Sequence, residues 1–152
     1  QKEGYDQIIW TDSKNHKFLE EAGTMNIFVR IDDTIITAPT TDTILDGITR
    51  KSIIKIAEDN NIKVEVRPIS IDEVIEAHTN NRLKEIFGSG TAVVVSEISG
   101  FGYKGKHYNL KNIENGYATT LKSVITKIQY NLIEDTYGWR SEVSAIKVWV
   151  FF

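Results

Sequence analysis

Glu20 and Glu21 stand directly before Ala22-Gly23-Thr24-Met25-Asn26, and a β-branched apolar run follows. A carboxylate pair at the mouth of a strand is either solvated surface or an acid aimed at a buried cation. Ala22 and Gly23 leave room for another group to approach the backbone. Two further stretches carry complementary chemistry. In "ILDGITR", Ile44 to Arg50, Gly47 permits a tight turn, and the amides of Ile48 and Thr49 open a helix. Unpaired amides at a helix start, helped by the helix dipole, bind phosphate. In "FGSGTA", Phe87 to Ala92, the glycines free the backbone, and Thr91 offers a hydroxyl and an amide to an anion. Each stretch also has a plain structural reading, as surface, as a helix start or as a loop into a strand. Together, two anion-binding backbones and a carboxylate match what a phosphorylated, cationic ring needs.

The elements that must position these residues follow from local patterns. "DQIIWTD" reads as a strand closed by the polar turn "SKNHK". "MNIFVRI" and "TIITAP", separated by Asp32 and Asp33, read as a β-hairpin. The segment from about Thr49 to Asp59 reads as a helix, and "IKVEVRPIS" alternates as a strand. Ser70 is placed to cap a short helix over "IDEVIEAH", with Asp72 and Glu73 in its first turn, where the dipole favours acids. "NRLKEIF" reads as a further helical turn closed by "GSG", and "TAVVVSEI" as a buried strand. "GYKGKHYNL" reads as a hairpin around Gly105. Tyr117, Leu121, Val124, Ile125, Ile128 and Leu132 keep helical spacing and predict a long amphipathic helix. The mixture lacks strict βαβ alternation, so the expected class is α+β, or mixed α/β, with antiparallel pairing.

Composition narrows the function. The 152 residues are 41% hydrophobic and 26% charged, with a formal net charge of -3, an ordinary globular balance for one domain. No basic field exists to attract nucleic acid. The longest apolar runs, "TAVVV" and "VWVFF", are too short to span a bilayer. With no cysteine there is no thiolate nucleophile and no zinc-thiolate site, and a reducing cytoplasm fits. His16, His78 and His107 show no metal-ligand spacing. The ends are odd. "QKEGYDQIIW" reads like a helix tail running polar into a strand, with no apolar leader segment, and "SEVSAIKVWVFF" is unusually apolar.

"EEAGTMNIF", "ILDGITR", "FGSGTA", "YKGKHY" and "ENG" followed by "IQYN" resemble, in order and spacing, the branched-chain amino acid aminotransferases. These are pyridoxal-phosphate (PLP) enzymes of fold type IV. The resemblance runs from about Gly4 to Trp139. It implies the family's C-terminal large domain over residues 1–139, with antiparallel-rich sheets and packed helices, and leaves residues 140–152 as an atypical apolar tail. D-amino acid transaminases and aminodeoxychorismate lyases share the fold and stand as alternatives, as does a catalytically dead phosphate- or partner-binding domain. The resemblance implies that Glu21 pairs with the PLP pyridine nitrogen, with Glu20 its solvated neighbour. Ile48 and Thr49 match the amides on the phosphate, Thr91 the hydroxyl beside it, and Leu45 a residue packing on the ring. Thr24 and Ala92 match positions around the substrate carboxylate, and Met25 a position on the site wall. The family's Schiff-base lysine matches a point upstream of this chain, so no catalytic residue is expected within it, and the N-terminal small domain has no counterpart. Val93 and Ser96 stand where some relatives carry a Cys-x-x-Cys pair, which excludes thiol control there. Family members are commonly dimers.

Overall fold

The computed structural model describes residues 4–142. In chain order the elements are β1 (Ile9–Thr11), β2 (Leu19–Ala22), β3 (Met25–Ile31), β4 (Thr34–Thr37), α1 (Ile48–Asp59), β5 (Lys63–Val66), α2 (Ile71–Thr79), β6 (Leu83–Gly90), β7 (Val94–Glu97), β8 (Gly100–Tyr103), β9 (Lys106–Asn109) and α3 (Tyr117–Gln129). β1 to β7 form one sheet in which β3 is paired along both edges, and β8 and β9 form a separate ribbon. All pairs are antiparallel except β4 with β5, whose parallel register needs the crossover that α1 supplies. This is the α+β, antiparallel-rich architecture expected from the pattern.

β3 explains how the core divides. Its side chains alternate between the two faces of the sheet. Ile27, Val29 and Ile31 join Val74 and Ala77 of α2 on one face. Phe28 lies on the other face, with Ile53 and Ile56 of α1 and Leu121 and Ile125 of α3. Phe28 also stacks on its ladder partner Phe87, with ring centroids 5.1 Å apart and planes 5° from parallel. Asp32 takes the left-handed conformation at φ 50° in the hairpin turn between Ile31 and Thr34. Ser70 caps α2, its hydroxyl accepting from the Glu73 amide at 3.1 Å.

Four expectations need correction. "NRLKEIF" is not helical: Leu83 to Phe87 lie in β6, paired with β3 on one edge and β7 on the other. Thr91, Ala92 and Val93 belong to the turn from β6 to β7, so the strand starts only at Val94. α3 ends at Gln129, and Leu132 lies beyond it, 70% exposed. Gly4 to Ile8 carry no helix, so the helix tail expected there is absent from the described part. Residues 1–3 lie outside the described residues, as does the apolar tail from Val143 onward.

The register of β6 sets Glu85 opposite Arg30. Glu85 is 7% exposed. Its Oε2 accepts from Arg30 Nη1 at 2.7 Å and from the Tyr117 amide at 2.9 Å, and its Oε1 accepts from the Ala118 amide at 3.0 Å. Gly116, at the N-cap of α3, has no side chain to cap with, so a carboxylate from the sheet does that work. The Arg30 guanidinium lies 3.6 Å from the Tyr117 ring centroid. Glu85→Ala is expected to cost about 2–4 kcal/mol, because it removes the shortest partner of a half-buried guanidinium and uncaps a helix. Glu85→Gln should cost less. Urea unfolding checks both, and a loss under about 1 kcal/mol for the alanine variant contradicts the assignment.

Candidate functional site

The start of β3 and the end of β6 lie side by side, with Asn26 opposite Ser89. On the other edge of β3, Glu21 of β2 faces Asn26. Glu21 Oε1 accepts from Asn26 Nδ2 at 3.1 Å and from the Leu45 amide at 3.0 Å. Asn26 Nδ2 also donates to the Leu45 carbonyl at 2.8 Å, and that carbonyl takes the Gly47 amide at 2.9 Å. One buried amide therefore ties a carboxylate to the loop that opens α1. Glu21 Oε2 takes no hydrogen bond among the described residues and stays free for a further donor. Glu20 accepts instead from the Thr43 hydroxyl at 2.8 Å, in exposed surroundings.

Gly47 is the N-cap of α1 and offers no side chain, so the first-turn amides of Ile48 and Thr49 have no cap. A Cβ at Gly47 would collide with Asn26 Oδ1, which gives glycine here a steric reason. Leu45 is 68% and Ile48 81% exposed, so two large apolar side chains flank this helix start uncovered. Thr91 and Ala92 sit in the exposed turn after β6. Thr24 is exposed too, and its carbonyl lies 3.4 Å from a Cβ built on Gly90. Val94 closes the turn at φ 60°, a strained conformation for a β-branched residue.

The structure thus gathers Glu21, Thr24, Leu45, Ile48, Thr49, Thr91 and Ala92 at one end of the sheet. Met25 differs. Its main chain is there, but its thioether packs over Gly88 and the α2-side core, the face opposite Asn26. Three residues here have no role that the sequence discloses: Asn26, Ser89 and Arg50. For Asn26 the available signal is a polar amide within a buried strand, inside one of the motifs above. Among the described residues, the buried side-chain atoms left without a partner are Ser89 Oγ and Arg50 Nε. Ser89 is the ladder partner of Asn26, and Arg50 lies in the first turn of α1. Buried polar atoms are nearly always satisfied, and both of these exceptions fall at this end of the sheet. No cluster of metal-ligating side chains occurs among the described residues.

A carboxylate with one free oxygen, an uncapped helix start and a glycine-rich turn lie at the same end of the sheet. The sequence profile of the amino-transferase class IV family matches residues 1–101, and the chain belongs to that family. It is 44% identical over 143 residues to the "Probable branched-chain-amino-acid aminotransferase" of Staphylococcus epidermidis, covering 93% of this chain and 40% of that protein. It is 39% identical over 147 residues to branched-chain-amino-acid aminotransferase 2 of Bacillus subtilis, covering 96% of this chain and 40% of that one. The chain therefore spans about two-fifths of the length of these relatives. Among solved structures, the branched-chain amino acid aminotransferase from Escherichia coli superposes with a TM-score of 0.73 at 25% identity. That match covers 91% of this chain and 43% of the other.

The network around Asn26 yields a stability prediction. Asn26→Ala leaves Glu21 and the Leu45 carbonyl each short of a donor and should cost about 1–3 kcal/mol. Gly47→Ala should destabilise by forcing the Asn26 amide aside. In the double variant the alanine Cβ no longer meets the Asn26 amide and keeps only an ordinary contact with Arg50 Cβ at 3.6 Å, so the two losses should fall short of additive by about 0.5 kcal/mol or more. Denaturant titration of the four proteins measures this, and strict additivity contradicts the contact.

Proposed function

We propose that the chain is the PLP-binding domain, over residues 1–139, of a branched-chain amino acid transaminase that exchanges the amino group between leucine, isoleucine or valine and 2-oxoglutarate. Residues 140–152 take no role in this reading. The observation that carries it is the Asn26-held Glu21 carboxylate beside an uncapped helix start. The residues fit the cofactor: Ser89 Oγ is buried without a partner at the same sheet end, and Gly47 keeps the helix start open. When bound, PLP supplies an electron sink for the substrate's α-carbon. Glu21 Oε2 would hold the proton on the pyridine nitrogen, which keeps that sink effective. The amides of Ile48 and Thr49 and the Thr91 hydroxyl would hold the phosphate, and Leu45 would pack on the ring and exclude water. Thr24 and Ala92 would meet the substrate carboxylate, and Met25 would line the wall through its main chain. The proton-carrying lysine of the family matches no position of this chain. The family pattern extends the reading to a homodimer in the cytoplasm. The lack of cysteine suits a reducing compartment, and no helix among the described residues is long and apolar enough to cross a membrane.

In the whole enzyme, Glu21→Ala is expected to lower turnover by about two orders of magnitude or more, since it removes the partner of a pyridinium. Glu20→Ala should do little, and equal turnover of the two variants sinks the assignment. The 152-residue chain should bind PLP without a covalent bond and show no transamination of leucine with 2-oxoglutarate. Borohydride reduction followed by mass measurement is the direct check. Stoichiometric PLP on one lysine, with measurable turnover, would overturn the reading.

A further inference from the structure

Arg50 sits where a cation is least at home. It lies in the first turn of α1, close to the positive end of the helix dipole, and no acidic residue shares that turn. The residue is only 5% exposed. Its Nη2 donates to the Ala38 carbonyl at 2.9 Å, and its Nε has no partner. Asp46, the acid nearest in sequence, is paired with Lys51, so Arg50 bonds no carboxylate among the described residues. Burial pulls its pKa below the ordinary value, against the opposing field of Asp46. A buried charge in this position is unfavourable until an anion offsets it.

The Arg50 Cβ lies 3.6 Å from a Cβ built on Gly47, so its stem flanks the same turn whose amides open the helix. Ser89 Oγ, also buried and unpartnered, marks the facing end of β6.

We propose that Arg50 is a further anion-site residue, whose buried guanidinium acts with the amides of Ile48 and Thr49 to draw and hold the cofactor's phosphate. The identity of the anion rests on the transaminase reading above. The need for one comes from the uncompensated charge. Direct contact is not required, because two charges attract over several ångströms in a partly desolvated site. A merely structural Arg50 would change stability equally with and without anion. An anion-site Arg50 changes the anion's effect on stability.

The test uses the 152-residue chain as wild type, Arg50→Met and Arg50→Lys. Thermal unfolding is followed against inorganic phosphate and against PLP at constant ionic strength. The wild type should gain Tm with either ligand. Arg50→Met should bind inorganic phosphate about tenfold or more weakly, and Arg50→Lys should keep most of the affinity. If Arg50→Met does not fold, Arg50→Gln, which removes the charge but keeps an N–H donor on the side chain, decides in the same way. Equal phosphate affinity in the wild type and the uncharged variant overturns the role of Arg50 and leaves the transaminase reading standing. A wild type that binds neither phosphate nor PLP overturns both.

Discussion

The register of β3 is the constraint on which the rest depends. One strand is paired on both edges and faces a helical layer on each side. A slip of one residue would turn every side chain to the opposite face. Phe28 would leave Phe87, Arg30 would leave Glu85, and the Asn26 amide would point away from Glu21 and Leu45. Core, ion pair and site are thus alternate consequences of one pairing. The two-sided burial makes that pairing costly to change, and the position of the Glu21 carboxylate is tied to it.

Main-chain groups carry much of the site. Beside the side chains of Glu21, Asn26, Ser89, Arg50 and Thr91 stand first-turn amides, the Leu45 peptide and a glycine-rich turn. This accounts for the small residues around it. Gly47 clears Asn26, and Gly88 and Gly90 clear Met25 and the Thr24 carbonyl. The exposed Leu45 and Ile48 have no function in the described chain as packing residues. Both flank the uncapped start of α1, where the proposed cofactor would cover them.

Much of this is legible in the sequence, and the misreadings have physical causes. α1, α2 and both hairpins follow from local chemistry: Gly47, the Ser70 cap, the Asp32 turn and Gly105. β6 mimics a helix because Leu83, Ile86 and Phe87 sit at helix-like spacing. The strand is buried on both faces, so period-two alternation vanishes. Its one charged core residue, Glu85, is offset by a partner 55 positions away in sequence, Arg30. Asn26 shows locally only as a polar amide in an apolar strand; its role stays hidden because its acceptor on Leu45 is 19 residues distant. Local windows register capping and turns, whereas long-range satisfaction of a polar group leaves no local trace.

The two acids Glu21 and Glu85 show what separates a carboxylate with a free oxygen from one committed to the fold. Both lie on strands beside β3; Glu85 takes the first-turn amides of α3, and Glu21 the Leu45 amide in the loop leading to α1. Glu85 engages three donors with its two oxygens, one of them a guanidinium, and is buried. Such a group is committed to the fold, and no ligand can claim it without breaking a helix cap. Glu21 is held through a single oxygen by neutral donors, and its second oxygen is uncommitted. Neutral donors fix its direction without neutralising its charge. An acid oriented this firmly, with its charge left unpaired, is equipped to receive a cationic N–H donor. Beside it, the uncapped start of α1 has the opposite need, and Arg50 reinforces it. On the transaminase reading, one ligand carrying both charges at its two ends would meet both groups together.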